Sequence, residues 1–307
     1  MWTAVSLGFA YLAMSAAYGW WAVQRIESGA AAWPFILAFP LIFLVFPLLL
    51  VSVSFVLSWL FRAERPADAR LSWRDSLHLF WYEFRAVAGD GPRLLLHRVL
   101  LREPRPAPSS RPILLIHGVL CNAGIWSPFK RWLDARNMGP VYTLSYGPPL
   151  APVDTFADQA AARIDAILAA TGAAQVVVVG HSLGGIVMRA YLRRYGGAKI
   201  ARLITVGTPH EGSVHAYMGF GTSIAQLRPG NDWMGALATP AGPALPPIVS
   251  IWSWHDSMVA PQTSSRIAFG HNITVAGIGH NALLRDARVF ELILAEIEKA
   301  PHSLDRK

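Results

Sequence analysis

The stretch Gln175-Val-Val-Val-Val-Gly-His-Ser-Leu-Gly-Gly185 constrains the fold of this chain more than any other. A run of valines ends in Gly180-His181-Ser182-Leu183-Gly184, and a helix-competent segment follows at once. Strand, tight turn and helix in that order are the setting in which G-x-S-x-G carries meaning as a nucleophile elbow. Ser182 has to occupy a strained turn for its Oγ to stand clear above the sheet. Glycines two residues to either side keep neighbouring side chains out of the way. A helix that starts directly after the serine turns its free N–H groups and positive dipole end toward a developing oxyanion.

The surrounding pattern agrees. Ile113–His117, Val141–Ser145, Gln175–Val179, Ile200–Val206, Ile248–Trp252 and Ile273–Ala276 read as strands. Helical periodicity covers Ile125–Arg136, Asp154–Ala170 (capped by Asp154 or Thr155), Ile186–Tyr195 and Val289–Glu298. Strands alternating with helices imply an α/β fold, a mostly parallel sheet with helices on both faces. Residues 213–247, rich in Gly, Pro, Met and aromatics, interrupt the alternation as a lid candidate or a long surface insertion. Residues 300–307 form a polar tail.

Hydrophobic residues make up 53% of the 307 and charged residues 15%, too apolar for an ordinary soluble domain. The excess is local: residues 1–61 carry two charges, Arg25 and Glu27. Trp2–Val23 is uncharged over 22 residues and Phe35–Phe61 over 27, with Pro40 and Pro47 inside the second. Each is long enough for roughly 30 Å of hydrocarbon. We expect two transmembrane helices over 1–61 joined by a short loop. A signal peptide is the lesser alternative, because no Lys or Arg precedes the first apolar run.

Net charge is +8, and with Arg25 and Glu27 set aside it arises from 26 basic against 18 acidic residues after position 61. Arg62, Arg65, Arg70 and Arg74 follow the second span, which by the positive-inside rule places the rest of the chain in the cytoplasm, beneath the inner membrane. No Lys/Arg run or zinc spacing accompanies the charge, so membrane lipids are the expected partner and nucleic acid is not. Residues 62–112 read as a basic flank, an amphipathic helix and a Pro-rich linker over 103–112. In Ser72–Ala88, Leu77, Phe80, Trp81, Phe84 and Val87 share one face, and Gly89-Asp-Gly-Pro92 should end the helix. That face either lies among lipid headgroups, the favoured reading beside a membrane span, or packs on the domain over 113–299. The single cysteine, Cys121, excludes an intrachain disulfide and has no context that would make it a thiolate.

A serine hydroxyl needs a histidine base oriented by a carboxylate. With this elbow the acid and then the histidine follow the serine. His280 lies in the Gly-rich loop Gly277-Ile-Gly-His280 just after the last strand. His271 precedes that strand, His302 is in the tail, and His255 adjoins the acid candidate. Asp256 follows the strand at Ile248–Trp252, at the strand end that faces the elbow. Asp232 lies in the lid candidate and Asp286 comes after His280. The residues therefore point to Ser182, Asp256 and His280. The oxyanion donors would be the N–H of Leu183 and that of Val119, with Leu120 second, from the loop His117-Gly-Val-Leu-Cys121.

HGVLCNAGIW, VVVVGHSLGG, GTPHEGS, WHDSMVAP and GIGHNALL stand in order along residues 113–299. The chain resembles bacterial α/β-hydrolase lipases and esterases, of the triacylglycerol lipase type, in these five motifs. The resemblance implies the α/β-hydrolase fold, cleavage of lipid or other hydrophobic esters with no metal or cofactor, the same triad and oxyanion donors, and a structural His210. It departs from secreted lipases in its membrane hairpin. Acyl transfer or thioester cleavage would use the same residues. A non-catalytic scaffold would show a broken triad or a blocked elbow, and the sequence has neither.

Overall fold

The computed structural model describes residues 2–237 and 245–301. In chain order it contains helices α1 (Trp2–Glu27), α2 (Trp33–Leu60), α3 (Trp73–Leu95) and α4 (His97–Leu100). There follow β1 (Ile113–Ile116), α5 (Ser127–Asp134), β2 (Val141–Leu144), α6 (Val153–Thr171), β3 (Val176–His181), α7 (Leu183–Tyr195) and β4 (Ile200–Val206). Two short helices, α8 (Thr222–Ala225) and α9 (Asp232–Ala236), precede β5 (Ile248–Ser253), β6 (His271–Val275) and α10 (Ala287–Glu298). The six strands form one sheet in the order β2-β1-β3-β4-β5-β6, every pair parallel.

β1 and β3 are buried throughout, which is why they read as unbroken aliphatic runs with no polar alternation. Leu114, Ile116, Val176 and Val178 face a core with α6 and α7, while Ile113, Leu115, Val177 and Val179 face a second with α5 and α10. Each valine so buried contributes about 1.5 kcal/mol or more. The order places β3, with the elbow at its carboxyl end, near the middle of the sheet, and the loops after β1 and β4 beside it.

α1 and α2 run antiparallel, with ring contacts Tyr11–Phe43, Tyr18–Phe39 and Trp21–Phe35. Among the described helices, only α2 is long and apolar enough to cross a membrane, with a mean hydropathy of 2.8. Of the two transmembrane helices expected, α2 alone meets that measure; the Gly, Ala, Ser and Tyr content of α1 dilutes its hydropathy. Pro40 and Pro47 sit inside α2 without ending it.

Three expectations need correction. The amphipathic helix does not stop at Gly89 but continues to Leu95. Tertiary contacts override the weak propensity there: Asp90 bonds Arg285, and Gly91 leaves room for Tyr11 of α1 to lie against it. Nor does the helix lie free among headgroups. It buries Leu79, Glu83, Ala86, Asp90 and Gly91, with Glu83 and Asp90 bonding Ser257 and Arg285 of the α/β domain, and Phe80 packs on Phe55 of α2. Leu77 and Trp81, from the face expected to dominate, remain about half exposed. Finally, neither Asp154 nor Thr155 caps α6. Pro152 holds that position, and Asp154 instead accepts a hydrogen bond from Trp233 Nε1 at 2.8 Å.

Smaller differences follow the same logic. The helix expected from Ile125 opens with a 3₁₀ turn, Ala123–Trp126, started by Asn122 accepting from Gly124 N–H. The elbow helix begins at Leu183, three residues earlier than its periodicity suggests, because the turn feeds straight into it. In the lid candidate 213–247 the described part holds α8, α9 and a 3₁₀ turn at Val214–Tyr217. Residues 238–244 of it lie outside the described residues, as does most of the tail, including His302.

Candidate active site

Ser182 has φ 54° and ψ −123°, the strained backbone that the elbow requires. Packing imposes it. A Cβ on Gly180 would sit 2.8 Å from the backbone of Gly184 and Gly185, and one on Gly184 would sit 2.7 Å from the carbonyl oxygen of His117. With both absent, the chain turns sharply from β3 into α7. Ser182 N–H donates to Val206 O at 2.9 Å, tying the turn to β4. The Ser182 hydroxyl makes no hydrogen bond to the described residues.

Asp256 follows β5 and is fully buried. Its Oδ1 accepts from the N–H groups of Met258 and Val259, each at 2.8 Å. The His280 Nδ1–H donates to its Oδ2 at 2.9 Å. His280 is held at two further points: its N–H donates to Ser257 Oγ at 3.3 Å, and its carbonyl accepts from His181 Nε2 at 3.3 Å. The ring centroids of His181 and His280 are 4.7 Å apart, so His280 stands beside the residue preceding Ser182. The Nε2 of His280 makes no hydrogen bond to the described residues and is free to take a proton. Burial alone would lower the basicity of His280. The charge and hydrogen bond of Asp256, with the charge of Glu83, outweigh it and raise the pKa above 6.5.

The N–H groups of Val119, Leu120 and Leu183 meet no acceptor among the described residues. Val119, Leu120 and Leu183 line one cavity of ≈ 10 Å³ with Tyr146, Phe156 and Thr3, which is room for about one water. Leu120 has φ 52°, the left-handed region, a strain characteristic of functional loops. Gly118 lets this loop approach Ser182: a Cβ on it would lie 2.9 Å from Ser182 Cβ. Below it, Tyr146 stacks on His117 at 4.1 Å and donates to its carbonyl at 2.8 Å.

The remaining candidates sort themselves by burial. His210 is buried, 3.1 Å from Thr205 Oγ1, and its carbonyl accepts from Arg189 at 2.6 Å. It pins a loop. His255 accepts from Gly277 N–H at 3.1 Å, and burial lowers its pKa to about 4. His271 opens β6 at the far end of that strand. Burial pushes Cys121 up to about 12, which removes it as a nucleophile. Among the described residues no three of His, Cys, Asp and Glu gather as a metal would require.

Two contributors escaped the sequence reading. Ser58, deep in α2, donates to the Asp256 carbonyl at 2.7 Å and accepts from Gln262 Nε2 at 2.7 Å. Glu83, on α3, is 1% exposed and accepts from Ser257, Asn281 and Ala282. A signal existed for each. Ser54 and Ser58 are polar residues one turn apart in an apolar helix, which marks a packed face. Glu83 is a lone acid in an aromatic run.

A model of the alpha/beta hydrolase family matches residues 113–297. Two triacylglycerol lipases, from Pseudarthrobacter phenanthrenivorans and Burkholderia plantarii, are each 42% identical over 59 residues, 19% of this chain. The match spans 18% and 16% of their own lengths. Among solved structures, a mature lipase of Bacillus licheniformis superposes with TM-score 0.55 at 16% identity, over 63% of this chain and 95% of the lipase. Lipase B of Aspergillus fumigatus gives 0.54 at 17% identity, over 63% and 53%. At such identities the likeness is one of fold.

Proposed function

The chain belongs to the α/β-hydrolase family, and we propose that within it the chain is a membrane-anchored serine hydrolase cleaving carboxylic esters of hydrophobic acyl chains. The observation that carries this reading is the buried Asp256–His280 pair, its Nε2 unengaged, beside a serine held at φ 54°. In the proposed reaction Ser182 Oγ attacks the ester carbonyl while His280 Nε2 takes its proton. The oxyanion is stabilised by the N–H groups of Leu183 and Val119, and the protonated imidazole then delivers its proton to the leaving alcohol. Water, deprotonated by His280, then adds to the acyl carbonyl, and the imidazolium returns that proton to Ser182 Oγ as the carboxylic acid leaves. Asp256 keeps the imidazole in the Nδ1–H tautomer throughout. The Ser182–His280 contact would tighten when substrate seats, as catalytic hydrogen bonds commonly do.

Labelling of the membrane-bound protein with a fluorophosphonate tests this directly. We expect modification at Ser182 and turnover of p-nitrophenyl esters that depends on acyl length. A chain that neither labels nor hydrolyses would defeat the proposal. The pH profile is a second check. His280 acts as base only when neutral and its pKa is raised above 6.5. Activity should therefore climb with rising pH through a midpoint above 6.5 and be lost below it. A midpoint well under 6.5 would contradict the assignment.

Anchoring through α2, with α1 completing a hairpin, is supported by the exposed Phe9, Leu12, Ile36, Leu37 and Phe46. Cleavage of α2 as a signal peptide would remove Ser58 from the Asp256 carbonyl, so a retained anchor fits better. The arginines after α2 favour a cytoplasmic hydrolytic domain, and Arg62 rests on Trp59 at 5.0 Å, as at a membrane interface. The chain should resist alkaline carbonate extraction and yield to detergent. Release by carbonate alone would remove the anchor from the proposal.

A further inference from the structure

We infer that Glu83, on α3 and outside the segment that matches the family, is a positioning residue for the His280 imidazole, resting on the serine-hydrolase reading above. Its carboxylate joins the two loops that carry the acid and the base. Oε1 accepts from Ser257 Oγ at 2.8 Å, next to Asp256, and from Asn281 N–H and Nδ2, both at 2.9 Å, next to His280. Oε2 accepts from Ala282 N–H at 2.9 Å. Ser257 extends the chain, since the same Oγ that donates to Glu83 accepts the His280 N–H at 3.3 Å.

A carboxylate 1% exposed is costly to bury without compensation, and four hydrogen bonds converging on it supply that compensation. The backbone is shaped for the approach: a Cβ on Gly279 would lie 2.7 Å from Glu83 Cδ. A residue needed only to dock α3 could be apolar, like its neighbours Leu79 and Ala86 on the same face. A negative charge here also acts on the base. The charged or titratable groups around His280 are Asp256 after β5, Glu83 on α3, His181 ending β3 and His215 in the 3₁₀ turn, with Arg285 acting on His181. Of these, Asp256 and Glu83 favour imidazolium.

The test uses the full-length chain in membranes, with active serines counted by fluorophosphonate titration. Per labelled serine, Glu83→Gln should lower kcat by up to about 10²-fold and leave KM nearly unchanged. Its acid limb of kcat/KM should move to lower pH, because removing the anion makes imidazolium harder to form. Glu83→Asp keeps the charge and should hold the acid limb in place while still lowering kcat. Ser257→Ala removes one donor to Glu83 and the acceptor of the His280 N–H, leaves the sequence of α3 unchanged, and should lower kcat more mildly. Wild-type turnover per labelled serine with an unmoved acid limb in Glu83→Gln would overturn the inference. If Glu83→Gln fails to fold, wild-type behaviour in both Glu83→Asp and Ser257→Ala would overturn it equally. A wild-type chain that takes no label would overturn the serine reading and this inference with it.

Discussion

Ser182→Ala abolishes ester cleavage, with an expected loss on the order of 10⁴ to 10⁶ in kcat, and leaves the fold standing. The two halves of this expectation have separate reasons. Chemically, no other nucleophile stands at the elbow, since the nearby Cys121 thiol is pushed up to about 12 by burial. Structurally, the substitution removes one oxygen that makes no hydrogen bond to the described residues. Alanine keeps the Cβ, and the positive φ is imposed by the close packing of Gly180 and Gly184 rather than by the serine. The thermal midpoint should thus stay close to that of the parent. Turnover and thermal unfolding measured on one preparation decide the matter. Most of the activity surviving would remove serine catalysis from consideration.

His280→Ala should be nearly as damaging, and Asp256→Asn somewhat less so, because the acid orients the base and transfers no proton. The asparagine has a specific defect. Its oxygen can still accept from Met258 and Val259, so the loop survives. Its NH₂ then faces His280 Nδ1 and forces the proton onto Nε2, where it blocks acceptance from Ser182. Serine proteases lose about 10⁴ through this tautomer error, and a comparable loss is expected here. Since the three residues act as a unit, Asp256→Asn combined with His280→Ala should be little worse than His280→Ala alone. Losses that multiply in the double variant would show that Asp256 serves some other group.

The two sets of variants bear on how much of the site was written in local sequence. The elbow was legible because its chemistry is contiguous: valine strand, two spaced glycines and a helix start within 11 residues. Asp256 and His280 were legible because a parallel sheet brings all strand carboxyl ends to one edge, so residues just after β5 and β6 must face Ser182. The mostly parallel sheet followed from the alternation of strands and helices, whereas the order β2-β1-β3-β4-β5-β6 came only with the structure.

What surrounds Ser182, Asp256 and His280 was not legible, and the reason is physical. Periodicity along Ser72–Ala88 tells which side chains share a face, but not which face finds a partner. Aromatic residues suggested one burial face. The structure buries the adjacent one, where Glu83 meets loops 174 to 199 residues away. A carboxylate is a solvated surface group until several donors surround it, and those donors come from Ser257, Asn281 and Ala282, which only folding assembles. Likewise, Ser58 looks like a tolerated polar residue in an apolar helix until the Asp256 carbonyl arrives 2.7 Å from it. The sequence by itself determined the α/β alternation and the strained serine turn, because each depends on neighbours close along the chain. Only the tertiary structure decided that α2 and α3 brace the acid and histidine loops, because a hydrogen bond between distant residues leaves no periodic trace in either.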